Sequence, residues 1–212
     1  GILCYVPEGY VLAQHILIGF EDADQISVMS AYQKLYSLEQ DINDKQTELE
    51  SADNDKKAGL EAELAELKEQ LKTAQSEYDA ALEKAAGSIE DKANQIYEQV
   101  RNADGEAFER IALEQSQDAQ DADSLTAYLV GAGDGLITEF HDTALALSRD
   151  GEISRPVLGP YGYHIIRRVS ALQPGSVPLD NVREEINEAL REKNEGELFE
   201  QTVQSWREQS GL

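Results

Sequence analysis

A single cysteine, Cys4, stands among 212 residues, which excludes an internal disulfide framework and a cysteine-rich zinc site. Three histidines leave little material for a histidine metal centre, so neither a metal nor a cofactor is expected. No apolar run approaches the roughly 20 residues that span a bilayer. Positive charge is scarce: 18 Lys and Arg face 42 Asp and Glu, a net charge of −24. Such a chain repels phosphate backbones and anionic membranes, and nucleic acid is not an expected partner. An initiating methionine is missing too. The chain opens at Gly1, from which we expect an excised fragment whose targeting sequence has been removed. Cys4 follows a bulky Leu3 where lipoprotein cleavage takes a small residue, so a buried or incidental thiol is expected. The 41% hydrophobic content suits a folded protein, and the length admits one domain with an appendage or two small domains.

What is present is unevenly spread. Eight of the nine lysines lie between Lys34 and Lys92, and all nine arginines lie at Arg101 or beyond. Residues 10–18 are β-branched and apolar and read as a strand. From about Asp24 the period changes. Leu60, Leu64, Leu67, Leu71, Ala74, Tyr78 and Ala81 follow 4,3,4,3,4,3 spacing, the seam of a coiled coil. Val28, Tyr32, Leu35, Ile42 and Leu49 fit a similar frame, which puts Glu39 and Gln46 at seam positions. The polar turn at 51–55 separates the two runs. Residues 23–85 are therefore expected as an antiparallel helical hairpin, a rod on the order of 40 Å long, rather than one continuous dimerising helix.

Downstream, an amphipathic helix from Ser88 to Arg101 and a short helix over 107–114 precede a polar loop at 115–124. A strand over 125–130, a glycine-rich loop at 131–135 and a helix over 138–147 follow. Residues 156–158 and 163–169 read as two strands around a Gly-Pro-Tyr-Gly turn. Residues 173–178 read as a linker, and 180–209 as one long amphipathic helix.

Specific words are attached to this order. His-Ile-Leu-Ile stands at 15–18, Ser-Gln-Asp at 116–118, Glu-Phe at 139–140, Gly-Glu-Ile-Ser-Arg-Pro-Val at 151–157 and Tyr-Gly-Tyr-His-Ile-Ile at 161–166. The string resembles the parvulin family of peptidyl-prolyl isomerases, whose pattern runs HIL, YSxD, GGxLG, EF, GExSxPV and GYHII. The likeness covers residues 10–20 and about 88–170. The segment from Pro178 onward also resembles the tail of extracytoplasmic foldases of the PrsA and SurA type.

The resemblance implies an α+β fold: a four-stranded antiparallel sheet with packed helices, interrupted by the long helical hairpin and followed by a C-terminal helix. The domain division it implies is a split isomerase domain at 10–20 and 86–172 and an inserted hairpin at 21–85. Residues 173–212 would be the C-terminal helix of an incomplete chaperone domain. The implied activity is cis-trans isomerisation of X–Pro bonds, in which a site binds the twisted amide better than the planar forms. His15 and His164 would be paired on adjacent central strands, largely orienting the site, and Asp118 would set the polarity around the carbonyl oxygen. Leu136 and Phe140 would embrace the proline ring, with ordinary core packing as their alternative, and Tyr128 and Leu125 would be further residues of the same wall.

Three departures bear on activity. The GGxLG glycines are replaced by residues 122–126, extra residues separate Leu125 from Leu136, and Gly159 stands where the family carries a hydroxyl. Residues 21–92 hold 19 acidic and 8 basic side chains where phosphate-directed relatives place a basic cluster, so phosphoserine-proline recognition is not expected. The expected partners are unfolded, proline-containing polypeptides, with self-association through the hairpin or C-terminal helix, at an extracytoplasmic location in a bacterium. The alternative is a weakly active or inactive parvulin-like chaperone or binding module.

Overall fold

The computed structural model describes residues 5–118 and 127–177, together with Arg183, Asn187 and Arg191. In chain order the elements are β1 (Tyr5–Val6), β2 (Val11–Gly19), α1 (Asp22–Ser51), α2 (Asn54–Ala86), α3 (Glu90–Val100) and α4 (Gly105–Gln115). Then come β3 (Tyr128–Val130), α5 (Thr138–Ala146), β4 (Val157–Gly159), β5 (Gly162–Ala171) and β6 (Gly175–Ser176). Four strands form an antiparallel sheet in the order β3-β2-β5-β4. This sheet, its packed helices and the helical hairpin are the fold the sequence led us to expect. Cys4, Leu125, the loop residues 119–124 and most of the expected C-terminal helix lie outside the described residues.

Residues 11–171 make one compact unit. Outside it, β1 pairs with β6, Tyr5 opposite Ser176 and Val6 opposite Gly175. The linker expected at 173–178 thus contains a short strand instead. Two residues on each side are too few to carry a period, which is why neither strand was legible.

β2 owes its place to having two apolar faces. Ile16 and Ile18, with Ile165 of β5, enter a core built with Ile96, Val100, Phe108 and the base of the hairpin. Val11 and Ala13, with Ile166, enter a second core against Phe140, Ala144 and Leu147 around α5. Each fully buried isoleucine stabilises the unit by roughly 1.5–3 kcal/mol. A strand covered on both faces reads as a continuous apolar run rather than an alternation. Side chains alternate along a strand, so His15 shares the face of Ala13, and His164 the face of Ile166.

The α1–α2 hairpin turns at Ala52 and Asp53. On α2 the expected heptad seam is buried or half-buried throughout, from Leu60 to Ala81. On α1 the register differs from the expected one. Leu38 and Ile42 are buried, while Glu39 and Gln46 are exposed. The seam runs Val28, Tyr32, Leu35, Leu38, Ile42, Lys45 and Leu49, so one three-residue step is inserted at Leu38. Such a stammer overwinds the pair locally and rotates Glu39 out to water. It also turns Lys45 inward, where its Nζ reaches Glu63 on α2 at 2.9 Å and Glu48 at 3.1 Å.

The β4–β5 connection explains one glycine. Gly162 has φ +136°, and a Cβ there would lie 2.1 Å from the carbonyl oxygen of Ile18. Only glycine lets β5 lie against Gly19, its partner on β2.

Candidate active site

His15 and His164 come from the two inner strands. Leu17 is paired with His164 in the ladder, so His15 sits one step diagonally away on the same face. The rings stack 5.2 Å apart at 11°, with the two Nδ1 atoms 3.0 Å apart. On its other side His15 Nε2 donates to Oδ2 of Asp118 at 2.9 Å, and the Tyr128 hydroxyl donates to the same oxygen at 2.7 Å. One carboxyl oxygen thus takes both donors. Burial, with the His15 ring adding to it and Asp118 opposing it, pushes His164 down to about 3 from its ordinary 6.5. His164 is therefore neutral at physiological pH.

Asp118 reaches this position because β3 is short. Among the described residues β3 pairs with Val11, Leu12 and Ala13. Beyond that, Ser116 and Gln117 take over the edge of β2. Ser116 Oγ accepts the Leu17 N–H at 3.0 Å, and the Gln117 N–H donates to the Leu17 carbonyl at 2.8 Å. The Gln117 side chain then accepts the Gly19 N–H at 3.0 Å. The Ser-Gln-Asp word is thus a pseudo-strand that delivers its third residue to His15.

A cavity of about 290 Å³ opens beside these groups, lined by His15, Asp118, Tyr128, Leu136, Phe140 and His164 among others. Its walls are mainly apolar. Phe140 meets both imidazoles edge-on, with centroids 5.1 Å from His15 and 6.0 Å from His164. Leu136 and Phe140 are held by the start of α5 and by the loop before it. In that loop Asp134 accepts the N–H groups of Gly131 at 3.0 Å and Leu136 at 2.9 Å, and bonds Nδ1 of His141 at 2.8 Å. Burial raises the Asp134 carboxyl, but these donors outweigh it and hold it below its ordinary value. A larger depression of about 500 Å³ lies on the hairpin. It is lined by Leu67 and Gln70 together with Asp41, Asp44, Glu48, Glu63 and Glu66 around Lys45, and it holds neither an aromatic ring nor an imidazole.

Six of the seven residues singled out in the sequence, His15, Asp118, Tyr128, Leu136, Phe140 and His164, line this one cavity. Leu125 lies outside the described residues. Sequence reasoning missed Leu17 and Ile137, which line it too, and the Asp134 staple. The resemblance selects Leu136 and Phe140 and passes over Ile137, which, like Leu136, precedes α5. The Asp-Gly at 134–135 was the only available signal for the staple.

The motif residues outside the cavity are structural. Ser154 is buried, and its Oγ accepts the Ile166 N–H at 2.9 Å. Glu152 accepts three donors from Ser148 and Arg149, which holds its carboxyl below the ordinary value. Gly159 leaves a gap in the polar line. Among the described residues Nε2 of His164 is buried with no hydrogen-bond partner, and a Cβ on Gly159 would lie 3.6 Å from it.

Compared with known proteins, residues 71–170 match the Rotamase family, described as the PPIC-type PPIASE domain. β2 lies outside that match, yet it is the inner strand between β3 and β5. The chain is similar to the foldase protein PrsA of Clostridium kluyveri, 31% identical over 132 residues, covering 58% of this chain and 36% of that protein. It is also similar to PrsA of Clostridium perfringens, 25% identical over 122 residues, covering 56% and 35%. The chain thus spans about a third of the length of these relatives. A crystal structure of the Bacillus anthracis peptidylprolyl isomerase PrsA aligns over 81% of this chain and 86% of that one, with 20% identity and a TM-score of 0.34.

Proposed function

We propose, for a chain whose residues 71–170 match the PPIC-type, or parvulin, family of peptidyl-prolyl isomerases, that it isomerises X–Pro bonds in unfolded polypeptides and so assists their folding. The observation that carries this reading is the apolar cavity flanked by the Asp118–His15–His164 line. X–Pro rotation is slow because resonance stiffens the C–N bond, with a barrier of ~18–20 kcal/mol. In the planar amide that resonance places partial negative charge on the carbonyl oxygen. A carboxylate beside that oxygen penalises the planar form more than the twisted one, in which conjugation is lost. Asp118 supplies the charge, His15 and Tyr128 fix its direction, and Phe140 and Leu136 hold the ring while the carbonyl turns. No nucleophile takes part.

The clients are proline-containing segments of secreted or surface proteins, at an extracytoplasmic location. The hairpin at 21–85 serves as an arm on a split domain formed by 10–20 and 86–172, with self-association through the hairpin or the C-terminal segment 173–212. The test is isomerisation of a proline tetrapeptide by wild type and Asp118→Ala. Wild type is expected to exceed the buffer rate, and Asp118→Ala to lose roughly tenfold or more in kcat/KM. A wild-type rate equal to buffer leaves a non-catalytic binding module in its place. A rate unchanged by Asp118→Ala removes Asp118 from the mechanism.

A further inference from the structure

We propose that the cavity mouth and the base of the hairpin form a subsite for a cationic side chain, Lys or Arg, flanking the client proline, built from the rings of Tyr161, Tyr32 and Tyr36 and the Glu139 carboxylate. The inference rests on the isomerase reading and extends it to the chemistry of the client.

Tyr161 lines the cavity and is 41% exposed. The turn that carries it is tied to the start of α1, where Gln25 Nε2 donates to the Pro160 carbonyl at 3.3 Å. The Phe20 N–H reaches the Tyr161 carbonyl at 3.4 Å. From Gln25, positions Met29, Tyr32 and Tyr36 follow at 4,3,4 spacing, one stripe of α1 leading away from the cavity mouth. Tyr32 and Tyr36 have ring centroids 6.4 Å apart, and Tyr36 is 54% exposed.

Glu139 lies in the first turn of α5, between the cavity residues Ile137 and Phe140. Burial is the main cause that raises the Tyr32 phenol above its ordinary value; Glu139 and then Tyr161 add to it, so both lie within electrostatic reach of the hairpin ring. Among the described residues the cavity lining contains no Lys or Arg. The nearby Lys34 is committed to Glu77 at 2.6 Å. Aromatic faces beside a carboxylate, in a field set by 19 acidic against 8 basic residues over 21–92, attract a cation and repel an anion. A long Lys or Arg stem also covers aromatic surface while its head meets Glu139.

The experiment uses the whole chain and three sets of fluorescent peptides with Lys, Leu or Glu on either side of one proline, read by anisotropy at low and high salt. Lys peptides are expected to bind about threefold or more tighter than Leu peptides, and Glu peptides weaker than both. The Lys advantage should largely disappear at 1 M salt, where screening acts within roughly 3 Å. Glu139→Gln should reduce the Lys-to-Leu ratio, whereas Glu66→Gln, an equal charge change far along the hairpin, should not. Equal binding of all three sets overturns the subsite and leaves the isomerase reading intact. A Lys advantage that survives Glu139→Gln, or that falls equally in Glu66→Gln, also overturns it in favour of a diffuse field. Binding of none of the peptides overturns both readings.

Discussion

His15 and His164 meet Nδ1 to Nδ1 at 3.0 Å, while the far nitrogen of His164 is buried without a partner among the described residues. That relationship dictates the protons. His15 must carry hydrogen on Nε2 to satisfy Asp118, so with both rings neutral its Nδ1 is an acceptor and the Nδ1–H of His164 donates to it. Nitrogen-15 NMR of the two rings should therefore show opposite tautomers, Nε2–H on His15 and Nδ1–H on His164. Finding Nε2–H on both neutral rings breaks this assignment, because neither Nδ1 then has a proton to share.

The depressed pKa of His164 links the site to stability. The unfolded chain protonates this histidine below its ordinary 6.5, whereas the native state refuses the proton down to about 3. Across that window the unfolded state binds more protons, so stability rises with pH and is lost as pH falls from 6.5 toward 3. The slope from this group approaches about 1.4 kcal/mol per pH unit. Urea unfolding between pH 6.5 and 5 should show a steeper loss in wild type than in His164→Gln. Identical slopes would place the titration elsewhere.

Gly159 is the cheapest point at which to repair the polar line. A serine Cβ there would stand 3.6 Å from Nε2 of His164 and 2.8 Å from Cδ1 of Ile137. The methyl contact calls for Ile137→Val as background. In that background Gly159→Ser should be more stable than Gly159→Ala by about 1 kcal/mol, the net worth of one buried hydrogen bond. Equal urea midpoints for the two would mean that the hydroxyl does not reach the imidazole.

Asp134 is a positioning residue for the cavity wall. Asp134→Ala deletes three hydrogen bonds at a side chain only 7% exposed and should cost about 2–3 kcal/mol. Asp134→Asn, which keeps an acceptor, should cost less. Peptide KM should rise more than kcat falls, since Leu136 shifts while Asp118 stays. Because the folded carboxyl is held below its ordinary 3.8, its contribution is present above that pH and lost as pH falls beneath it. A variant with wild-type stability and KM would show that the loop holds itself.

Local pattern was enough for much of the molecule. The strand at β2, the two hairpin helices, the polar turn between them and the β4–β5 turn all follow from period and punctuation near each residue. Where local rules mislead, a neighbour in space decides. Glu39 was placed on the seam by a strict heptad count, but α2 offers packing to Leu38 and turns Lys45 toward Glu63. β1 and β6 exist only through each other, 170 residues apart in sequence from Tyr5 to Gly175.

The sequence by itself determined the helices and the main strands of residues 11–171, the acidity of the hairpin and, through its parvulin-like words, most of the side chains that line the cavity. Tertiary structure decided how they are aligned: which nitrogen of each imidazole meets which partner, how Ser116 and Gln117 deliver Asp118, and what Gly159 leaves unfilled. Periodicity records only which face of an element is apolar. The joining of His15 to His164 across 149 positions depends on strand pairing and on a hairpin that closes on itself, so the split leaves the sheet whole.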